Sequence, residues 1–189
     1  MKPKLIRFCI VAVLFSLSAN AQKSKINFNS INTFGVAAGE SKLSGLLQTV
    51  NGVMYNHWFA GIGAGLDYYT YRTIPLFFDL RRDIGKLNKG FIYADLGYNI
   101  PWKEKPGKEI SFYNSYHFTN GFYNDIGIGY KMNFKESSSF LFSAGYSYKK
   151  VNNKIGVALA CLVPPCPEEF SKYEYGYGRI VLKAGIELR

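Results

Sequence analysis

The fold is decided by residues 58–100, which begin WFAGIGAGLDYY (58–69) and continue through LFFDLR (76–81) to FIYADLGYNI (91–100). Each of these segments alternates between two kinds of residue. One set is aliphatic or aromatic throughout, whereas the other mixes glycine, tyrosine and charge. A repeat of two is typical of β-strands, because successive side chains point to opposite faces of a sheet.

The apolar set predicts the outer face of a barrel. A soluble barrel or sandwich would place an apolar face inside. Here the opposite set contains Gly61, Gly63 and Gly65, and glycine suits a crowded, tightly curved interior. We therefore expect the glycine-rich face to line the interior and the apolar face to contact lipid, as in a transmembrane β-barrel.

The same alternation predicts an all-β fold, an eight-stranded antiparallel up-and-down transmembrane β-barrel formed by residues 22–189. The predicted strands are 31–39, 44–55, 58–69, 76–81, 91–100, 122–134, 140–149 and 175–189. With an even number of strands, both ends of the barrel-forming chain lie on the same, periplasmic side of the membrane. The two long links, 103–118 and 150–174, then lie outside, and the three periplasmic links are short. This asymmetry is typical of outer-membrane barrels.

Residues 1–21 are expected to be a cleaved signal peptide. A basic head with Lys2, Lys4 and Arg7 precedes a mostly apolar run, residues 8–17, and a small-x-small cleavage site follows. The apolar run is too short to span a bilayer. No later segment reaches the ~18 apolar residues of a transmembrane helix, so a closed barrel is the remaining way to cross a membrane.

The charge of the chain gives little reason to expect a nucleic-acid partner. Removing residues 1–21 takes three basic residues, so 23 basic residues become 20 against 13 acidic ones, a net charge of +7. These residues are spread over strands and links, and no basic face forms.

Several segments carry a family resemblance: GIGAGLDYY (61–69), IPLFFDLR (74–81), YADLGY (93–98), GIGYK (127–131) and GYSYKK (145–150). The chain resembles the small eight-stranded outer-membrane β-barrel proteins common in Bacteroidetes. The resemblance covers most of residues 22–189 and implies a barrel in the bacterial outer membrane. Its motifs are barrel motifs and identify no reaction.

Ten charged residues fall on the predicted inner face: Asp67, Asp79, Arg81, Asp95, Asp125, Lys131, Lys149, Arg179, Lys183 and Glu187. Eight strands enclose a space that side chains can just fill, so these charges must pair or change their protonation state. A salt-bridged interior that blocks conduction is the favoured interpretation, and a gated pore or proton site is the alternative. Asp79 and Asp95 fall at similar depth, so Arg81 or Arg179 is their expected counter-charge.

Two cysteines, Cys161 and Cys166, remain once the signal peptide with Cys9 is removed. Two thiols this close, with a proline turn between them, are predicted to form a disulfide in an oxidising compartment. A metal site would need further ligands, and that loop contains no histidine. The sequence therefore predicts neither a metal nor a cofactor.

An outer-leaflet lipid hydrolase or acyltransferase is the enzymatic alternative. It would need a histidine with a serine or carboxylate near the outer rim, and the chain has only His57 and His117. His57 falls in a predicted periplasmic turn, and His117 follows Ser115 by two residues at a loop end. One histidine near one serine is weak evidence, so we expect no catalytic residues and no enzymatic activity.

The lysines near the predicted outer rim are Lys103, Lys105, Lys108, Lys150 and Lys154. They are interpreted either as contacts to lipopolysaccharide phosphates or as ordinary solvated side chains.

The sequence therefore predicts a non-enzymatic, monomeric outer-membrane barrel in contact with lipid and lipopolysaccharide. Its role would be structural, or surface interaction with an unknown partner through loops 103–118 and 150–174. A soluble periplasmic lipocalin-like barrel that holds an apolar ligand is a further alternative, in which Ile62, Leu66 and Leu96 would point inward.

Overall fold

The computed structural model describes residues 26–40, 42–85, 87–102, 114–135, 137–158 and 168–189. Within these ranges the chain forms nine strand segments: β1 (Ile26–Gly39), β2 (Leu43–Tyr55), β3 (Trp58–Asp67), β4 (Thr73–Ile84), β5 (Gly90–Pro101), β6 (Asn114–Thr119), β7 (Gly121–Lys135), β8 (Ser138–Ala158) and β9 (Glu168–Leu188). The same ranges contain no helix that could cross a membrane.

The nine segments close into one antiparallel barrel of eight strands. β6 and β7 follow one another along β8, and only residue 120 separates them, so together they form a single barrel strand. β9 pairs with β8 on one side and with β1 on the other, which closes the sheet. The eight-stranded antiparallel barrel predicted from the sequence is confirmed.

The strand register fixes the tilt of the strands. One row of paired residues runs around the barrel through Ser139, Glu187, Ile31, Val50, Gly63, Phe77, Gly97, Tyr123 and Lys149. The row leaves β8 at Ser139 and returns to it at Lys149, which is ten residues further along (149 minus 139). A stagger of ten residues over eight strands tilts each strand by about 40° from the barrel axis.

The apolar set forms the outer surface. Ile62 is 74% exposed and Leu96 is 52% exposed, whereas Asp95, next to Leu96, is completely buried. The lipocalin-like alternative required Ile62 and Leu96 to point inward, and the structure contradicts it.

Aromatic and arginine side chains form a belt at each edge of this apolar surface. On one edge the Arg82 guanidinium lies 5.0 Å from the centre of the Trp58 ring, and on the other Arg72 lies 5.2 Å from the Tyr68 ring. Trp58 and Tyr68 are ten residues apart in the chain. A strand that crosses a bilayer needs about 9–11 residues, so the two belts are spaced as membrane interfaces are.

The two ends of the barrel differ. The turn end carries the short links 56–57, 85–89 and 136–137, and the loop end carries the links 40–42, 68–72, 102–113 and 159–167. The extents predicted for the two long links, 103–118 and 150–174, are wrong, because Asn114–Thr119 is β6, β8 continues to Ala158 and β9 begins at Glu168.

These strand ends form a three-stranded extension of β6, β8 and β9 past the last pair between β1 and β9, Gly39–Arg179. Along β8, alternation fails there as a strand signal. Lys150, Asn152 and Asn153 put polar groups on both faces, since the extension has no lipid-facing side.

The inner face is more apolar than the sequence pattern indicated. A cluster of buried side chains fills the middle of the lumen: Ile31, Val50, Met54, Phe59, Phe77, Phe91, Tyr93, Tyr123 and Leu141. A smaller cluster near the loop end contains Ala37, Leu46, Tyr69 and Val181.

Inner-face glycines make room for these rings. A Cβ atom at Gly129 would overlap the Phe91 ring, whereas one at Gly45 would have no atom within 4 Å. We expect Gly129→Ala to lower the free energy of unfolding by about 1–3 kcal/mol. Gly45→Ala should change it by less than about 1 kcal/mol. Urea unfolding of both variants in lipid vesicles checks this, and equal effects would contradict it.

Candidate functional site

The ten charged residues assigned to the inner face are all buried in the structure, and none is more than 6% exposed. They divide into three groups along the lumen. We call these the central cluster, the loop-end cluster and the turn-end cluster, and the contacts of each follow.

The central cluster contains three carboxylates on neighbouring strands. Asp95 on β5 pairs in register with Asp79 on β4 and with Asp125 on β7. The Arg81 Nε donates to both Asp79 oxygens at 2.9 Å, and its Nη2 lies 2.6 Å from Oδ2. Lys183 Nζ lies 2.9 Å from Asp125 Oδ2 and 3.7 Å from Asp95 Oδ2. Three acids thus share two bases.

Polar and aromatic neighbours complete the central cluster. The Tyr93 hydroxyl donates to Asp125 Oδ1 at 2.8 Å. Lys183 Nζ also donates to Gln48 Oε1 at 3.1 Å, while Gln48 Nε2 donates to the Tyr123 hydroxyl at 2.8 Å. The two tyrosines therefore carry part of the polar network as well as part of the apolar filling.

Asp67 is the acid of the loop-end cluster. Its Oδ2 lies 2.5 Å from Arg179 Nη2, and its Oδ1 lies 3.3 Å from Lys149 Nζ and accepts from the Tyr69 backbone N–H at 2.9 Å. Lys149 Nζ also donates to the Tyr71 carbonyl at 2.9 Å. One carboxylate here holds two cations.

The turn-end cluster centres on Lys131, which lies between two acids. Its Nζ is 2.8 Å from Asp83 Oδ1 and 3.3 Å from Glu187 Oε2. The Asn29 amide donates to Glu187 Oε1, and Arg189 Nε lies 3.6 Å from the same oxygen. Asp83 and Arg189 were missed in the sequence because they lie at strand ends, where alternation is hard to assign.

The described ionic network is balanced as a whole. Adding Asp83 and Arg189 to the ten residues gives six acids and six bases, with one extra acid in the central cluster and one extra base in the loop-end cluster. β9 supplies one charge to each cluster, namely Arg179, Lys183 and Glu187, which are four residues apart. The clusters therefore depend on the position of a single strand.

The predicted counter-charge for Asp79 and Asp95, Arg81 or Arg179, is confirmed for Asp79 only. Arg81 binds Asp79, but Arg179 binds Asp67 and not Asp79 or Asp95. Arg179 lies four residues nearer the loop end than Lys183, and Lys183 is the base that reaches the central acids.

Several predicted sites lie wholly or partly outside the described residues. The structure does not describe Cys161, Cys166, Lys103, Lys105 or Lys108, or the side chains of Lys154 and His117. The disulfide and most of the lipopolysaccharide contacts therefore stay predictions. Lys150 is described, and it forms an ion pair with Glu174 on the extension.

His57 lies in the turn between β2 and β3, at the turn end. It lines a cavity of about 330 Å³ together with Asp83 and Asn29. The Asp83 carboxylate is held by Lys131. The described residues contain no group of three or more histidine, cysteine, aspartate or glutamate side chains placed to hold a metal ion.

Comparison with known proteins supports the fold and goes no further. No protein-family model matches the chain, and no curated protein matches its sequence. The crystal structure of the outer membrane protein OprG from Pseudomonas aeruginosa is similar at a TM-score of 0.52 and 13% identity, over 85% of this chain and 94% of that one. The structure of the outer membrane protein AlkL in lipid bilayers matches at a TM-score of 0.47 and 8% identity, over 86% and 87% of the two chains.

A closed eight-stranded barrel with an apolar exterior and interfacial belts is a membrane-spanning barrel, since closure leaves no unpaired backbone in lipid. The fold and the exterior are those of a bacterial outer-membrane β-barrel protein. This is the fold class and the compartment that the alternating pattern predicted.

Proposed function

We propose that this protein is a non-enzymatic, non-conducting outer-membrane barrel that acts in membrane architecture or in surface interaction through its loop end. The observation that carries the proposal is the filled lumen. Where the larger porins keep an aqueous channel, this barrel places buried rings and ion pairs.

The apolar cluster and the central ionic cluster occupy the same part of the lumen. Tyr93 and Tyr123 belong to both, and Phe77 packs against Tyr123 with ring centres 5.6 Å apart. Tyr93, Tyr123 and Phe77 are each at most 3% exposed. A small ion would have to displace close-packed side chains and break buried ion pairs, which supports a lumen without conduction.

The extension supports a surface role. β9 begins at Glu168, ten residues before Gly178 (178 minus 168), and its pairing with β1 begins only at the next residue, Arg179. Ten residues of strand reach about 33 Å. One face of the extension carries Tyr173, Tyr175 and Tyr177, and the other carries the exposed Lys172–Glu174 pair at 3.0 Å. Such a sheet presents both aromatic and charged groups beyond the membrane.

Conductance measurements test the proposal. The purified protein in planar bilayers should produce no conductance steps, and vesicles that contain it should swell in a disaccharide solution no faster than vesicles without protein. Reproducible ohmic steps from protein that shows the mobility shift of a folded barrel on gels would contradict it. Cleavage at Tyr173 or Tyr175 by chymotrypsin added to intact cells would place the extension outside.

Three finer statements belong to this proposal. Contacts of the loop-end lysines with lipopolysaccharide are supported by the net positive charge of residues 22–189. The absence of enzymatic activity is supported by the position of His57 at the turn end, opposite the extension. Membership among the barrels of Bacteroidetes is supported by the segments quoted above.

A further inference from the structure

Four polar side chains stand together on the otherwise apolar outer surface. Ser30 and Asn32 on β1 pair in register with Asn51 and Thr49 on β2. Asn32, Thr49 and Asn51 are exposed, and Ser30 is partly exposed. We call these four residues the polar patch. Tyrosines apart, Asn124 on β7 is the only other outward polar side chain between the two belts in the described strands.

The polar patch lies within the apolar band. Thr49 pairs with Ala64, which is six residues from Trp58 of one belt and four residues from Tyr68 of the other. Apolar side chains surround the patch on the outer surface: Phe28, Phe34, Leu47, Val53, Ile62, Ala64, Ile186 and Leu188.

Within the described chain, the side chains of the patch form no hydrogen bond to any residue outside it. Its one side-chain hydrogen bond is a long contact, with Asn32 Nδ2 3.5 Å from Ser30 Oγ. Thr49 and Asn51 have no side-chain hydrogen bond there. Amide and hydroxyl groups that face hydrocarbon without a partner are costly, and they associate where they can. A molecule that covers the patch would supply the missing partners.

We propose that the outer surface of β1 and β2 is a dimer interface and that a second copy of this chain covers it. This goes beyond the proposed function and rests only on the barrel lying in a membrane. Asparagine carries both a donor and an acceptor, so the patch is complementary to itself. A two-fold axis along the membrane normal keeps both copies in the same insertion direction and sets patch against patch. The sequence alone favoured a monomer, but it did not reveal this cluster.

The shape of the surface fits the same arrangement. Phe34 lies next to the patch on its loop-end side and is 63% exposed. Beside it lies a groove of about 570 Å³, lined by Leu47, Thr49, Ala64 and Leu66. Across the two-fold axis, Phe34 of one copy meets the groove of the other at the same depth. Strands tilted by about 40° then cross at about 80°, so side chains form the contact and not backbone pairing.

Energy transfer in vesicles tests the dimer. Donor- and acceptor-labelled copies of the protein are mixed in phosphatidylcholine vesicles over a range of protein-to-lipid ratios. We expect transfer above the random-proximity level, and unlabelled protein should reduce it. Asn32→Leu/Thr49→Val/Asn51→Leu should raise the protein fraction needed for half-maximal transfer at least tenfold, and Phe34→Ala should shift it in the same direction.

Asn124→Leu is the matched control, because it removes an outward polar side chain from a strand away from the patch. It should leave the transfer curve unchanged. Gel mobility with and without heating shows whether each variant folds. If the triple variant does not fold, Phe34→Ala alone tests the interface. The inference is overturned if the unmodified protein shows only random-proximity transfer, as it would if lipid or another protein covers the patch. The inference is also overturned if the folded triple variant associates as strongly as the unmodified protein.

Discussion

Arg81→Ala is expected to lower the free energy of unfolding by about 3–5 kcal/mol, the range found when one partner of a buried ion pair is removed. The Arg81 guanidinium makes three contacts of 2.6–2.9 Å to Asp79. It also lies 5.6 Å from the centre of the Phe91 ring. Without it, Asp79, Asp95 and Asp125 would share Lys183 as their one base in the central cluster. Urea unfolding in vesicles measures the loss.

The double variant Asp79→Ala/Arg81→Ala separates the ion pair from the packing. It removes the orphaned charge along with the arginine, so it should be more stable than Arg81→Ala alone. Heat-modifiable gel mobility gives an independent readout. A single variant with unchanged mobility and unchanged urea midpoint would show that the pair does not support the barrel.

Asp67→Ala is expected to have an effect of similar size, also about 3–5 kcal/mol, with the opposite excess of charge. Asp67 is the acid that holds both Arg179 and Lys149 in the loop-end cluster. Its loss leaves two buried cations facing each other near Tyr69. The urea midpoint of the variant in vesicles checks this.

Asp83→Ala is the matched control for Asp67→Ala. It also removes one carboxylate from an inner ion pair, but Lys131 keeps a second partner in Glu187 at 3.3 Å. We expect a smaller loss than for Asp67→Ala, because Asp83→Ala leaves no buried cation without a carboxylate partner. If the two variants lose the same stability, then the number of remaining partners does not control the effect.

The alternation of side chains correctly predicted the property that depends on one strand at a time, namely which face of the sheet each residue occupies. Ile62, Leu96 and Asp95 face the directions assigned to them, because a period of two fixes the face of each residue once the strand is known. Alternation is weakest in β2, because Thr49 and Asn51 interrupt its apolar outward set. Both residues belong to the polar patch.

Properties that depend on several strands together were not predictable in this way. The pairing of Arg179 with Asp67 depends on the registers of β9, β1, β2 and β3, and a stagger of ten residues around the barrel accumulates over these steps. The extension was missed for a different reason. Beyond the membrane no lipid selects one face, so β8 continues there with polar residues on both faces.

The three charges on β9 have a consequence for assembly. A slip of β9 by two residues along β1 would keep every inward side chain inward, so the apolar outer surface would be the same in both registers. It would nevertheless carry Arg179, Lys183 and Glu187 about 7 Å from their partners at once. Ionic contacts spaced every four residues on β9 therefore favour the native register over a two-residue slip that the lipid-facing side chains alone would accept.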